Sequence, residues 1–491
     1  MNKIINREYF LLAIILVLGF IVRLYKIDNP IADWHSWRQA DTASVSRIYI
    51  DKGINILFPR YYDVSRIQTG ATNISGLRMV EFPVYNVLHT VLAKNVPLPE
   101  QVCLTIKKVP RCYQLEPIAV WGRLISIFSA LFTALFLYLI GKKFLGSWGG
   151  VLSAFIYLFI PYNIYFTRVI LPEPMSVAFG VASIWFFIKY LDNEKFLHLV
   201  ISGILFALST LIKPFTFFYA VPLIYLAVDK YGLFGIFKKW KLLVFANIAI
   251  NPFFIWRIWV NRFPVGIPHF EWAFNGDGIR FKPAFWYWIF GERIGKLILG
   301  IWGLVPFSFG VISSEKKYRF FHFFFLGMLA YVTVFATASV RHDYYQTFLI
   351  PSIALLVSHG IISVWNKNLT AKLLSVASIF LMFYIGAFQV KEFYKVNHPE
   401  LIVAGAAADR IIPKDAKIIA PYNGDTAFLY QTKRYGWPVV DETFDEMVAR
   451  GAQYFVAVNF ADPDVAYVEK NYKVLEKTTQ YIIADLTQKI K

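Results

Sequence analysis

From Tyr9 to Val390 apolar runs of about 20 residues alternate with polar stretches, most of them short, that carry lysine or arginine. A run of that length is what a helix needs to cross the hydrocarbon of a bilayer. In lipid each backbone amide and carbonyl must bond inside its own segment, so an apolar run of this kind has little choice but helix. About eleven runs meet the criterion, near residues 9–27, 118–140, 148–166, 172–190, 197–212, 215–229, 242–260, 297–312, 320–338, 346–364 and 371–390. Between the fifth and sixth, Lys213-Pro214 marks either a tight turn or a kink in one longer segment. Only 17% of the 491 residues are charged and 18% are aromatic, as interfacial belts require. The expected fold class is a polytopic α-helical membrane protein.

The basic residues set the orientation. Lys3 and Arg7 precede the first run, and no small-residue cleavage site follows it, so the segment reads as an uncleaved signal anchor. With the N-terminus inside, the inner loops hold Lys142 and Lys143, Lys189 and Lys195, Lys230 with Lys238, Lys239 and Lys241, Lys316 and Lys317 with Arg319, and Lys367 with Lys372. That distribution obeys the positive-inside rule. It places the 28–117 segment and everything from about 391 on the extracytoplasmic side of the cell's plasma (inner) membrane. The expected domains are residues 1–390, transmembrane and including the outer loop 28–117, and residues 391–491, a small extracytoplasmic α/β domain. The formal charge of +18 is spread over short loops and forms no basic arm, which excludes nucleic acid as a partner and favours anionic lipid.

The outer ends of the runs also carry cations: Arg123, Arg168, Lys213, Arg257, Arg262, Arg341 and His342. Each either snorkels to the interface or joins a set converging on an anion. Recurrence at one level of many helices favours the set.

The outer loop opens with Asp33-Trp34-His35-Ser36-Trp37-Arg38-Gln39-Ala40-Asp41-Thr42. Asp33 suits a helix N-cap, and Trp34, Trp37, Arg38, Asp41 and Val45 share one helical face, which would lie in the membrane interface. After a Gly/Asn/Ser-rich link, Glu81-Phe82-Pro83 leads into a second amphipathic stretch through His89, with Glu81 where a carboxylate suits a helix start. An N-terminal span followed by a loop with two such helices and an Asp in the first resembles the GT-C membrane glycosyltransferases, most of all the protein O-mannosyltransferase and aminoarabinose transferase group. Trp37-Arg38-Gln39-Ala40-Asp41-Thr42, Arg123-Leu124-Ile125-Ser126 and Leu171-Pro172-Glu173-Pro174 carry the likeness. Two positions depart from the pattern: Thr42 replaces a second acid, and Phe82 stands where the aminoarabinose transferases have Lys. The resemblance implies transfer of a hexosyl or pentosyl group from a polyprenyl-phosphate donor, with inversion, to a glycan, lipid or protein acceptor, and Asp41 as the catalytic carboxylate.

The chemistry needs few residues. A base takes the proton of an acceptor hydroxyl, and the departing phosphate, with a second pKa of about 6, needs cations and no acid. One carboxylate suffices, unlike the pair used in glycoside hydrolysis. The candidate substrate-binding residues are Arg38, Glu81, Arg123, Arg168, Glu173, Lys213, Arg257, Arg341, His342 and Tyr345. Asp41 is either that base or the partner of Arg38 in a surface ion pair. Glu173 either caps the next span or touches substrate, and Tyr344 and Tyr345 suit an aromatic belt. Glu81 and His269 are candidate ligands for a divalent cation, the one cofactor considered. Cys103 and Cys112 could close a small disulfide loop on the extracytoplasmic side. Beyond 391 strand and helix patterns alternate: strands at 416–420 and 454–458, helices at 423–430 and 446–451, and a terminal hairpin near 473–483, with no catalytic cluster. Two rival readings are a transporter or flippase for an anionic lipid-linked substrate, and a non-catalytic assembly protein whose outer domain binds a partner.

Overall fold

The computed structural model describes residues 2–99, 101–106, 109–114, 116–276, 278–313 and 315–490; the side chains of 2–6 and of both strands between 101 and 114 lie outside that description. Compact packing divides the chain into two units. The first comprises Met1–Ile27, Arg123–Ile258 and Phe270–Phe393, and the second Asp28–Gly122, Trp259–His269 and Tyr394–Lys491. The division expected at residue 390 follows the chain, whereas packing groups the loop after the first helix with the C-terminal segment.

The first unit is helical, and every expected apolar run contains helix. Among the described residues, five helices are long and apolar enough to cross a membrane: Pro117–Phe159, Glu173–Asn193, Trp240–Val260, Asp343–Trp365 and Leu369–Tyr394. The first of these, at 43 residues, would be about twice a bilayer in length if straight. It breaks at Gly146 (φ 79°, ψ 180°), which separates the runs expected at 118–140 and 148–166. The chain folds back tightly there, because a Cβ on Gly150 would lie 2.6 Å from the carbonyl oxygen of Tyr138. Lys213 is extended between the Phe196–Ile212 helix and a 3₁₀ turn over Pro214–Tyr219, so Lys213-Pro214 is a true break. The run expected at 297–312 is also two pieces. A π-helix over Tyr287–Ile298 ends in a turn with positive φ at Gly300 and Ile301, and a helix resumes over Leu304–Ile312.

Small and hydroxyl-bearing residues join these helices, as expected where lipid removes the hydrophobic drive for helices to associate. Ser183 Oγ donates to the Ser202 carbonyl at 2.8 Å, and Ser202 Oγ returns the bond to the Ser183 carbonyl at 2.8 Å. Ser176 and Ser209 repeat the exchange at 2.8 and 2.6 Å. Seven residues separate the serines on each helix, so both exchanges fall on one seam of an antiparallel pair. Cations expected in the inner loops pair with acids, Lys143 with Asp192 at 2.6 Å and Lys316 with Asp229 at 3.0 Å, while Lys142 pairs with Glu8.

The second unit is built on a sheet. Strands β1 (Gln101–Ile106) and β2 (Val109–Gln114) form an antiparallel hairpin with Cys103 opposite Cys112. The side chains of both cysteines, and with them the proposed disulfide, lie outside the described residues. Strands β3 (Lys417–Ile419), β4 (Gly436–Trp437), β5 (Ala452–Ala457), β6 (Tyr472–Lys477) and β7 (Ile482–Lys489) form a five-stranded sheet in the order β4-β3-β5-β7-β6. Its parallel half and terminal antiparallel hairpin are the α/β pattern expected after 391. The loop is stitched to the β4 edge: the Val64 amide donates to the Gly436 carbonyl, and the Gly436 amide donates to the Tyr62 carbonyl, both at 2.9 Å.

Two glycines let helices of the first unit meet backbone to backbone. A Cβ on Gly360 would lie 1.8 Å from the Pro306 carbonyl oxygen, and one on Gly310 would lie 2.0 Å from that of Leu356. Gly360→Ala should therefore destabilise the fold by about 1–3 kcal/mol, seen as a lowered Tm in detergent. An unchanged Tm would mean that the two helices separate at no cost.

Candidate functional site

The site in the second unit grows from one buried acid. The Ser36–Lys52 helix starts after His35, whose backbone is left-handed (φ 56°), and no side chain caps it. Asp33 takes a different role from the N-cap expected: its Oδ1 accepts from Gln39 Nε2 at 2.6 Å. Nor does the helix lie on a surface with one wet face, because every residue from Arg38 to Tyr49 is buried. Beside it runs the second helix, Val84–Asn95, tied on by Asn86 Nδ2, which donates to the Thr42 carbonyl at 2.8 Å and to Ser46 Oγ at 3.0 Å.

Asp41 is 0% exposed. Its Oδ2 faces Arg78 Nη2 at 2.9 Å and Gln68 Nε2 at 3.3 Å, and its Oδ1 accepts from Thr426 Oγ1 at 2.7 Å. Arg78 also donates to Gln68 Oε1 at 2.6 Å, which aims the amide, and its guanidinium lies 4.8 Å from the centre of the Tyr61 ring. Isolated burial of a carboxylate would cost several kcal/mol, and this set of donors is what makes the position tolerable. Arg38, expected beside Asp41, pairs instead with Glu81. Glu81 thus braces the first loop helix, and the N-cap of the second is Pro83.

Two further carboxyls stand in the same unit. Asp63 is buried, accepts from the Ser65 amide at 2.8 Å, and is pushed up to about 6 by loss of solvent, with the charge of Asp41 adding to the effect. Asp425 is likewise held at about 6, by burial first and Asp41 second, although its contact with the Ala427 amide at 2.7 Å opposes the rise. His89, buried against the Ile118 carbonyl at 2.6 Å, is pushed down to about 4 by burial.

Glu81 and His269, the candidate metal ligands, both lie in the second unit. Glu81 holds Arg38, while the His269 amide donates to the Gln68 carbonyl at 2.8 Å and its ring sits over Gly70. A Cβ at Gly70, where φ is +73°, would lie 2.3 Å from His269 Nε2, so the ring depends on that glycine. Among the described residues no group of three or more His, Cys, Asp or Glu is gathered to hold a metal.

In the first unit the sequence-derived cations divide by surroundings. Arg123 and Arg168 are both fully buried, and they donate to adjacent carbonyls, Ile27 at 2.6 Å and Lys26 at 2.7 Å, where the chain leaves the Asn2–Arg23 helix. Lys213 forms a buried pair with Glu173 at 2.9 Å, so Glu173 is more than a helix-start charge. Arg257 is half-buried, 5.8 Å from the centre of the Phe270 ring, and Arg341 is exposed. His342 stacks edgewise on Trp272 at 5.6 Å and lies 6.1 Å from Tyr345, which in turn packs on Phe215 at 5.2 Å. Lys213, His342 and Tyr345 therefore border one aromatic cluster. Tyr344, assigned to an interfacial belt, is buried.

Residues 119–259 match the family model described as dolichyl-phosphate-mannose-protein mannosyltransferase. Over 96% of this chain and 97% of the other, the structure superposes on ArnT from Cupriavidus metallidurans bound to undecaprenyl phosphate, with a TM-score of 0.63 at 10% identity. The fold is that of the GT-C glycosyltransferases. The apo state of that ArnT gives a TM-score of 0.61 at 11% identity over the same shares of the two chains. The Archaeoglobus fulgidus oligosaccharyltransferase, in complex with zinc and sulfate, gives 0.54 at 11% identity over 94% of this chain and 71% of that one. No curated protein matches the sequence. Within this GT-C fold, Arg78, Gln68 and Thr426 are the functional candidates that sequence reasoning missed. Arg78 follows the Gly/Asn/Ser-rich link as a lone cation, and Thr426 lies 385 residues from Asp41, so no spacing rule connects them.

The raised Asp63 carboxyl makes stability depend on pH. The fold favours its protonated form, so its contribution is whole below about pH 4 and is lost as pH rises through about 6. His89 has the opposite sign: its neutral ring favours the fold above about pH 6.5, and that support fades as pH falls toward 4. Comparing wild type with Asp63→Asn isolates the carboxyl. From pH 4 to 7 the wild type should lose up to about 3 kcal/mol relative to the variant, read as a fall of the wild-type Tm below that of the variant. Parallel Tm curves would refute the assignment.

Proposed function

We propose that the chain is a glycosyltransferase that moves a hexosyl or pentosyl group from a polyprenyl-phosphate donor to an acceptor hydroxyl at the extracytoplasmic membrane face, with inversion. Asp41 is the general base. The observation that carries this reading is the clamp on Asp41, a buried carboxylate held by Arg78, Gln68 and Thr426 within a GT-C fold. Support also comes from the undecaprenyl phosphate bound by the ArnT to which the structure is similar.

In the transfer step the acceptor hydroxyl gives its proton to Asp41 while its oxygen bonds to the anomeric carbon. The bond from that carbon to the phosphate oxygen breaks, and its electron pair leaves with the phosphate. Of the three donors on Asp41, Gln68 makes the longest contact, so it is the one an acceptor hydroxyl displaces from Oδ2. A dianionic leaving group needs cations more than a proton. Arg257, Arg341 and His342 are the groups assigned to it, together with Lys213 if the phosphate draws it from Glu173. Arg123 and Arg168 act one step back, holding the backbone at 26–27.

The decisive assay uses the purified, reconstituted protein with polyprenyl-phosphate sugars and a hydroxyl acceptor. Asp41→Asn should lower kcat by about 10²–10⁴-fold without loss of fold. A folded variant that transfers at the wild-type rate would remove Asp41 from the mechanism. If the protein moves labelled lipid across the bilayer and leaves its sugar bond intact, the flippase reading replaces this one. Arg341→Gln, at an exposed position, should raise the donor KM by about 10–100-fold with Tm unchanged, the loss of one charge-assisted contact to phosphate. A donor KM within twofold of wild type would take Arg341 off the phosphate.

A further inference from the structure

The sequence pattern beyond residue 391 carries no catalytic cluster of its own, yet this segment supplies a direct ligand to Asp41. Thr426 is buried and its hydroxyl spans two groups of the Ser36–Lys52 helix, Asp41 Oδ1 at 2.7 Å and the Trp37 carbonyl at 3.3 Å. Its backbone is fixed from both sides. Before it, Asn423 and Gly424 take positive φ, and the amides of Tyr422 and Gly424 donate to the Pro438 carbonyl at 2.9 and 3.0 Å. After it, the Ala427–Thr432 helix is pinned by Arg47, which donates to the Tyr430 carbonyl at 2.8 Å and lies 3.7 Å from the centre of the Tyr430 ring. Arg47 and Asp41 belong to the same helix, so the two helices are joined at two points. A β-branched threonine adds a stiff χ1 to this fixed backbone.

The division of labour on the carboxylate is the key feature. Arg78 and Gln68 both address Oδ2, whereas Oδ1 accepts from Thr426. The plane of a carboxylate turns about its Cβ–Cγ bond, and donors crowding one oxygen leave that rotation loose. A donor on the second oxygen closes it. A base must present a lone pair to the acceptor in a set direction, since proton transfer tolerates little misalignment.

We propose that Thr426 is a positioning residue for the transfer step: by holding Oδ1, the C-terminal segment sets the direction in which Asp41 meets the acceptor hydroxyl. The idea rests on the glycosyltransferase reading above. It assigns the C-terminal segment a part in the chemistry, beyond bracing the fold or holding a partner.

The experiment uses full-length protein in nanodiscs, with Thr426→Val, Thr426→Ala and Thr426→Ser, and two readouts. One is steady-state transfer from a polyprenyl-phosphate sugar. The other is the infrared carboxylate band of Asp41, obtained as wild type minus Asp41→Asn. Thr426→Val and Thr426→Ala should each lower kcat by about 10–100-fold, the worth of one hydrogen bond to a charged group, with the donor KM unchanged. Both should shift the Asp41 band and move the acidic limb of the kcat–pH profile upward, and Thr426→Ser should restore all three. Two variants are used so that poor folding of one does not end the test. An active wild type whose folded variants keep kcat overturns the proposal alone, as does a loss of kcat with the Asp41 band unmoved or without rescue by serine. A wild type that transfers no sugar from any polyprenyl-phosphate donor overturns the glycosyltransferase reading itself, and this role with it.

Discussion

A negative charge taken wholly out of water needs donors on every side, and Asp41 finds them in stretches far apart in sequence. Arg78 and Gln68 come from the loop after the first helix, and Thr426 comes from the C-terminal segment. That requirement accounts for the composition of the second unit. The loop cannot complete its own polar centre, so it folds with the α/β segment. Pairing of 62–64 with β4 and the Arg47–Tyr430 contact hold the two in register. Arg38 and Glu81 form a second pair nearby in the same loop, which fixes the start of the helix carrying Asp41.

The first unit answers a different constraint. Its helices must satisfy their backbones internally, and their association relies on close approach and on hydroxyl bonds between helices. The reciprocal serine exchanges and the glycine contacts near Gly150, Gly310 and Gly360 are the results. The same economy governs its buried cations. Arg123 and Arg168 bond to backbone carbonyls at the end of the first helix, and Lys213 shares its charge with Glu173. A buried arginine in a helical membrane unit is therefore as much a structural strut as a ligand. Arg341, by contrast, is exposed and Arg257 half-buried.

Much of this architecture was legible in the residues. Run length and hydrophobicity force helix wherever lipid is the solvent, so the apolar segments, the break at Lys213-Pro214 and the turn near Gly146 followed from local chemistry. The α/β alternation after 391 and the terminal hairpin did as well, because strand and helix periods are local properties. Asp41 stood out as the acid of a motif in a polar loop. What the residues left open was partnership. Arg38 lies three positions from Asp41, close enough on a helix to suggest an ion pair, yet it turns to Glu81. Arg78, in an unremarkable loop, takes Asp41. Proximity along a helix proposes contacts, but burial decides among them, since each buried charge goes to the partner that leaves fewest groups unsatisfied.

The sequence by itself determined that this chain is a bundle of apolar helices with a polar α/β segment, and that an acid-bearing loop follows its first helix. Periodicity and length act within a few residues, and they suffice for that much. Only the tertiary structure decided that Asp41 is enclosed, and that Arg78, Gln68 and Thr426 enclose it. Tertiary structure also consigned Arg123 and Arg168 to the backbone and wove the loop and the C-terminal segment into one unit. The physical reason is that desolvation depends on everything packed around a group, and no local pattern in the chain records what will surround it.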